Sequence, residues 1–267
     1  MDINQLPAEC LSCILAFTSP KDACRSAVVS PAFRSAADSD ALWTTFLPSD
    51  YRQIISQASS SSTSSFLNSL SKKALYLRLS DHLLFIGSGN SGFVLEKGSG
   101  KKCYMIGARD LEIVWGSSPA YWTWQSIPTS RFSEVAELQY VWWLEIKGKI
   151  EGRNLSPKTK YAAYFVFKLV EDNFCRHVFE TTPVSLEVHF EGAEVEEDRR
   201  KRVILDPLEG SSVVCVERSD GWMEVEMGEF FNECGDDGSI IFHLMQIDRL
   251  RKGGLIVEGV EIRPKYE

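Results

Sequence analysis

The chain is short of histidine, long apolar runs and excess positive charge, and each shortage closes off a class of function. There are only four histidines in 267 residues. None of His82, His177, His189 and His243 lies in an H-E-x-x-H spacing, and no G-x-S-x-G marks a serine nucleophile, so no metal or catalytic triad is expected. No apolar stretch approaches the roughly 20 residues that cross a bilayer. A net charge of -8 supplies no field for a phosphate backbone, so nucleic acid is not an expected partner. Seven cysteines, an odd number at scattered spacings, do not make a complete disulfide framework. With no signal sequence visible ahead of Pro7, reduced thiols in the cytoplasm and nucleus are expected. Hydrophobic residues make up 44%, enough for one large core or two modest ones.

The first fifty residues read as short helices. Leu11, Ile14, Leu15 and Thr18 recur at three- and four-residue steps. Ser19-Pro20 with Asp22, and Ser30-Pro31 ahead of Phe33 and Ala36, each supply an N-cap and a proline at the first helical position. Asp38 to Asp40 opens another helix ahead of Leu42, Trp43 and Phe46. So small a unit has little private core and usually buries an exposed face on a partner. The run L-P-x-E-C-L-S-C-I-L-A-F from Leu6, then D-A-C-R-S-A-V-V-S-P-A-F-R and A-L-W, resembles an F-box over Leu6 to Trp43. That resemblance implies docking on the Skp-type adaptor and cullin scaffold of an SCF ubiquitin ligase. It assigns adaptor contact to Leu6, Pro7, Ile14 and Leu15, and packing to Val28, Phe33 and Trp43. Cys10 and Cys13 share a helix face but have no second C-x-x-C and no nearby histidine, so they read as packing thiols.

Between Gln57 and Ser65 a serine-rich tract reads as a flexible loop, with more helix after it where Phe66, Leu67, Leu70, Leu75 and Leu79 return. Gly87 to Gly92 matches G-x-G-x-x-G, but the strand-like Phe93-Val-Leu-Glu-Lys97 follows it, so hairpin punctuation is expected rather than a phosphate cradle.

From about residue 93 the period changes to two. Trp142, Leu144, Ile146, Gly148 and Ile150 alternate with polar neighbours, and Tyr161 to Phe167 is apolar throughout, as a strand covered on both faces would be. Further strands are expected at Val184 to Phe190, Val213 to Val216, Trp222 to Met227, Ile240 to Ile247 and Leu255 to Ile262, with Glu194 to Arg202 as a solvated charged loop. About ten strands predict an antiparallel β-sandwich of jelly-roll type. The richest stretch is Arg109 to Trp124, where Trp115, Tyr121, Trp122 and Trp124 flank a turn at Gly116 to Pro119. Strict alternation turns Trp115 inward with Leu111 and Ile113 unless a bulge re-aims it, and puts Trp122 and Trp124 on one face.

The segments A-R-D-L-x-I-x-W-G-x-x-P-x-Y-W-x-W at Ala108 to Trp124, R-F-S-E-V-A-E-L from Arg131, L-x-P-x-T-x-Y-A-A-Y from Leu155, S-D-G-W-x-E-x-x-x-G-E-F-F-N from Ser219 and G-L-x-V-x-G-x-E-I-R-P from Gly254 resemble the plant phloem protein 2, or Nictaba-like, lectin domain. That resemblance implies binding of N-acetylglucosamine oligomers or N-glycan cores, with Trp115 and Trp122 in the sugar-site positions. Two glutamates of the sugar-binding members correspond here to Ser239 and Gln246. A neutral acceptor makes a weaker hydrogen bond than a carboxylate, so weaker or altered sugar recognition is expected.

An enzyme would need a carboxylate pair, and Glu224 and Glu226 do share a strand face about 7 Å apart. That alternation is also the ordinary pattern of a solvated sheet face. The combined expectation is an α+β multidomain chain: an F-box over 1–48, a helical connector with a serine-rich loop over 49–92, and a lectin-like sandwich over 93–267. It would work as a non-catalytic substrate receptor without cofactor or metal, capturing a target protein through an N-glycan or through its protein surface.

Overall fold

The computed structural model describes residues 6–170, 173–193, 200–207, 215–235 and 238–266. The chain divides into two compact units, Met1–Cys103 and Tyr104–Glu267.

In the first unit, helix α1 (Ala8–Leu15) follows Pro7, and α2 (Pro20–Ser26), α3 (Pro31–Ala37) and α4 (Asp40–Phe46) follow the capping serines Ser19, Ser30 and Ser39. The Ser19 hydroxyl accepts from the Asp22 amide at 3.1 Å, and the Ser30 hydroxyl from the Phe33 amide at 3.3 Å. Each satisfies one of the orphan donors of a first helical turn. Trp43 is fully buried, donates its indole N–H to the Ala37 carbonyl at 2.6 Å and packs its ring 5.2 Å from that of Tyr76. Tyr76 lies on α7 (Lys72–Asp81), which follows α5 (Tyr51–Ser56) and α6 (Ser61–Ser69).

Helix α6 corrects the expectation of a serine-rich loop, because the tract is helical from Ser61 onward. Serine is only a moderately poor helix former. Leu67, 2% exposed, supplies the one buried anchor the helix needs. The G-x-G-x-x-G run is the turn of a hairpin between β1 (Leu84–Ile86) and β2 (Ser91–Leu95), with Phe85 opposite Gly92. Gly87 and Gly89 take φ of 57° and 89°, which glycine adopts without steric penalty. This hairpin lies within the first unit, and the division between units falls inside β3 (Lys102–Gly107).

The second unit is an antiparallel sandwich. Strands β4 (Glu112–Ile113), β7 (Val141–Glu151), β13 (Ser239–Lys252), β9 (Val184–Phe190) and β10 (Lys201–Val203) form one sheet, in the order β10-β9-β13-β7-β4. The other contains β14 (Leu255–Pro264), β8 (Thr159–Leu169), β12 (Met223–Asn232) and β11 (Val216–Glu217). There β14 lies between β3 and β8, and a β5 (Trp122–Gln125) and β6 (Val135–Leu138) pair joins through β6. The chain passes from one sheet to the other between β7 and β8, again on reaching β9, and at β12–β13 and β13–β14, as in a jelly roll.

Tyr161, Ala162, Ala163, Phe165, Val166 and Phe167 are all 0% exposed, so the unbroken apolar run of β8 does mark a strand covered on both faces. Leu144, Ile146 and Ile150 of β7 meet the core as alternation requires, whereas Trp142, expected with them, is 52% exposed at the start of its strand. The charged run from Glu194 lies outside the described residues up to 199, and its basic end is β10 rather than loop. The expected strand at Val213 to Val216 also lies outside them except for its last residues, which lead into β11.

A bulge in β14 turns Glu258 fully into the interior, where it accepts from the Arg131 amide at 2.7 Å, the Ser130 hydroxyl at 3.1 Å and the Arg131 guanidinium at 3.0 Å. Arg131 also reaches Glu261 at 3.0 Å, and Arg218 joins Glu261 at 2.8 Å to Glu224 at 2.9 Å. Burial pushes the Glu261 carboxyl up, but Arg131 and Arg218 outweigh it and hold the group at about 2.

Candidate functional site

The adaptor-docking residues read from the sequence separate into two groups. Ile14 is 44% exposed, Pro7 is exposed and Leu6 half-buried, but Leu15 is 3% exposed. Leu15 therefore belongs to the helical core, on the same side of α1 as the buried Leu11 and Ser12. Val28 makes the opposite correction. It was expected to hold the helices together, yet it is 81% exposed, as are Phe17 at 93% and Val29 at 66%. Phe33 is half-buried and Trp43 wholly buried. A unit of this size leaving Ile14, Phe17, Val28 and Val29 in water has an apolar surface in need of a partner.

In the second unit the stretch Arg109 to Trp124 does not alternate as expected. Leu111 is buried, but Trp115 sits at φ 61° and is 57% exposed. A bulky residue in the left-handed region is an outlier, costing of order 1–3 kcal/mol, and such strain concentrates at ligand sites. Its two neighbouring indoles hold it there. Trp122 and Trp124 share a face of β5 and donate their N–H groups to the carbonyls of Val114 at 3.1 Å and Gly116 at 2.9 Å. The backbone is thus fastened on both sides of Trp115, and the one unfastened tryptophan is turned outward.

The arginine of the motif supports the clamp, with the Arg109 guanidinium 3.7 Å from the Trp124 ring centroid and its Nε 2.9 Å from Glu134. A hollow of about 580 Å³ opens beside the loop, lined by Arg109, Glu112, Ser117, Trp124, Glu145 and Lys147 among others. Lys147 lies 2.6 Å from Glu145 and holds that carboxyl below the ordinary carboxylate range. Glu112 has no cation partner among the described residues. The hollow joins the half-buried indole of Trp124 to carboxylate, hydroxyl and ammonium groups, a combination that can meet a ligand with one apolar face and a polar rim.

The other sequence-predicted sugar residues are not gathered there. Trp122 is 1% exposed and belongs to the clamp, so it presents no face to a ligand. Ser239 pairs with Glu151 in register and donates its hydroxyl to that carboxylate at 3.0 Å. The Trp115 loop instead joins β7 through the Val114 amide on the Glu145 carbonyl. Six residues of strand separate the two places, roughly 20 Å. Gln246 points into the sandwich, 4% exposed, and donates to the Thr182 carbonyl at 3.1 Å. The polar groups Glu112 and Ser117 were missed, although their place beside Trp115 in the motif was a signal.

The carboxylate pair considered for catalysis is consumed in ion pairs. Glu224 receives Arg263 at 2.5 Å and Arg218 at 2.9 Å, while Glu226 receives Lys201 at 2.5 Å and Lys265 at 2.6 Å. Among the described residues no three His, Cys, Asp or Glu side chains come together as a metal site.

The chain thus joins a helical unit with exposed apolar side chains to a jelly-roll sandwich with an exposed tryptophan. Comparisons with known proteins give the family. The model of a family described as Phloem protein 2 matches residues 101–264, and one described as F-box-like matches residues 3–49. The chain is 44% identical to the putative F-box protein PP2-B12 of Arabidopsis thaliana, over 99% of each chain. It is 37% identical to the F-box protein VBF of the same plant, over 97% of this chain and 99% of that one. The chain belongs to the phloem protein 2 family, among members that carry an F-box. It is also similar to a solved family 22 carbohydrate-binding module of Clostridium thermocellum Xyn10B, at 10% identity, a TM-score of 0.30 and coverage of 59% of this chain and 87% of that one. A likeness that slight says nothing about ligands.

Proposed function

We propose that this chain is a substrate receptor of an SCF-type ubiquitin ligase: its F-box docks on a Skp-type adaptor held by a cullin, and its lectin-like unit captures glycosylated target proteins. The receptor performs no chemistry, and its contribution to ubiquitin transfer is proximity. The observation that carries the capturing half is Trp115, strained at φ 61°, 57% exposed and fastened on both sides by the N–H groups of the buried Trp122 and the half-buried Trp124. The exposed Ile14, Phe17, Val28 and Val29 support the docking half. Seven free cysteines suit a reducing compartment, so we place the receptor in cytoplasm and nucleus.

A second reading has its own support. Ser239 and Gln246 lack the carboxylates of the sugar-binding relatives and are engaged with Glu151 and the Thr182 carbonyl, so the same loop would serve a bare protein surface equally. The full chain on immobilised adaptor separates the two. Capture of a high-mannose glycoprotein that is lost on enzymatic deglycosylation and in Trp115→Ala supports the glycan reading. Capture that survives deglycosylation but not Trp115→Ala moves the function to the protein surface. Failure of the adaptor to retain the chain defeats the docking half.

A further inference from the structure

Beyond Trp115 the aromatic surface continues. Its ring lies 6.0 Å from that of Tyr121, which lies 5.5 Å from Tyr140, which in turn lies 5.9 Å from Trp142. The last two contacts are edge-to-face, at 80° and 89°, the geometry in which aromatic rings attract one another. Trp142 is 52% exposed. The hydroxyls of Tyr121 and Tyr140 have no hydrogen-bond partner among the described residues, so apolar faces alternate with polar tips along the row.

The row ends on an arginine. The Arg251 guanidinium lies 3.8 Å from the Tyr140 centroid and 5.6 Å from that of Trp142, and no carboxylate among the described residues pairs with it. This is unusual in a chain of net charge -8, where among the described residues the other stacked arginines of the second unit also hold an acid: Arg109 with Glu134, and Arg263 with Glu224.

The position of Arg251 is built. It lies in an irregular stretch of β13, where register is lost between Ile247 and Lys252. Lys252, fully buried, fastens that stretch by donating to the Trp142 carbonyl at 2.7 Å, the Asp248 carboxylate at 2.5 Å and the Leu250 carbonyl at 2.9 Å. The Trp142 carbonyl and the carbonyl preceding Arg251 are therefore held on one ammonium group. A guanidinium stacked flat on a ring keeps its planar donor fork free for a carboxylate.

We propose that Tyr140, Trp142 and Arg251 form a second saccharide subsite, continuous with Trp115, that takes a sugar ring bearing a carboxylate. Aromatic faces stack on the apolar face of the ring, the tyrosine hydroxyls meet its rim, and Arg251 pairs with the uronate. The inference rests on the saccharide reading of the Trp115 loop and adds to it the charge of the ligand.

Calorimetric titration of the full chain tests it, with the trimer and hexamer of N-acetylglucosamine, hexagalacturonate and hexaglutamate as probes. Hexagalacturonate is expected to bind roughly tenfold tighter than the neutral hexamer, since a charge-assisted pair is added. Arg251→Gln should erase that preference, and Arg251→Lys should restore only part of it because the planar fork is gone. Trp142→Ala should weaken the hexamers roughly threefold to tenfold while leaving the trimer unchanged. Lys252 holds the backbone of Trp142, so these variants should remain folded, with melts within a few degrees of the parent. Equal binding of neutral and acidic hexamers, or a preference that survives Arg251→Gln, overturns the subsite alone. Equal binding of hexaglutamate assigns the row to acidic peptides and also overturns it. Silence from every saccharide removes the subsite and the glycan reading together.

Discussion

Replacing Trp122 by phenylalanine separates the clamp from the residue it presents. The Trp122 indole N–H meets the Val114 carbonyl at 3.1 Å in a side chain only 1% exposed. Phenylalanine keeps a ring in the core but strands that carbonyl, a loss of about 1–3 kcal/mol. The missing part of the indole leaves a void worth about 1–2 kcal/mol more. Together these predict a loss of about 2–5 kcal/mol, a fall in Tm on the order of 10 °C for a unit of this size. Trp115→Ala should behave differently. Its side chain is mostly in water, alanine retains the left-handed strain, and the contact with Tyr121 is worth only about 1 kcal/mol. Thermal melts of the two variants, followed side by side by near-ultraviolet circular dichroism, decide the matter. If Trp115→Ala destabilises the chain as much as Trp122→Phe, Trp115 is a core residue and the reasoning is refuted.

Other expectations follow from the same contacts. Ser19→Ala removes the acceptor for the Asp22 amide and should cost about 1 kcal/mol in denaturant unfolding, while Ser19→Gly should cost only a few tenths. Ile14→Asp should abolish co-purification with a Skp-type adaptor and cost about 1–2 kcal/mol of stability, because the side chain is partly in water but an acid is unfavourable in the last turn of a helix; undiminished adaptor binding would remove Ile14 from the interface. The Glu261 carboxyl is held at about 2 against an ordinary 4.5, so it binds fewer protons folded than unfolded. Its stabilisation is complete above pH 4.5 and drains away as pH falls towards 2. Unfolding midpoints should fall across that window, and Glu261→Gln should flatten the fall while lowering stability at neutral pH.

Much of the fold was legible because local chemistry and burial agreed. Ser19-Pro20 and Ser30-Pro31 cap the helices they announce, and the continuous apolar run of β8 is buried on both faces. The failures lie where a tertiary contact overrides the local pattern. Alternation turned Trp115 inward, but hydrogen bonds from Trp122 and Trp124 to the carbonyls on either side of it hold the backbone in the left-handed region. Composition made the serine tract a loop, whereas one leucine, Leu67, is anchor enough for a helix. Helix periodicity grouped Ile14 with Leu15, yet only Leu15 packs inward. Within the candidate site, the resemblance singled out Trp115, but its exposure was not legible in the alternation. Glu112 and Ser117 were not legible either, because their convergence depends on how β4 pairs with β7. Gln246 was misassigned for a similar reason, since strand parity directs it into the sandwich.

The most direct test of the central claim is calorimetric titration of the full chain with chitotriose and with a high-mannose N-glycan, alongside a Trp115→Ala variant shown by its melt to be folded. Saturable binding is expected in the parent and none in the variant. Equal binding by both proteins, or no heat from either sugar at millimolar concentration, would contradict it.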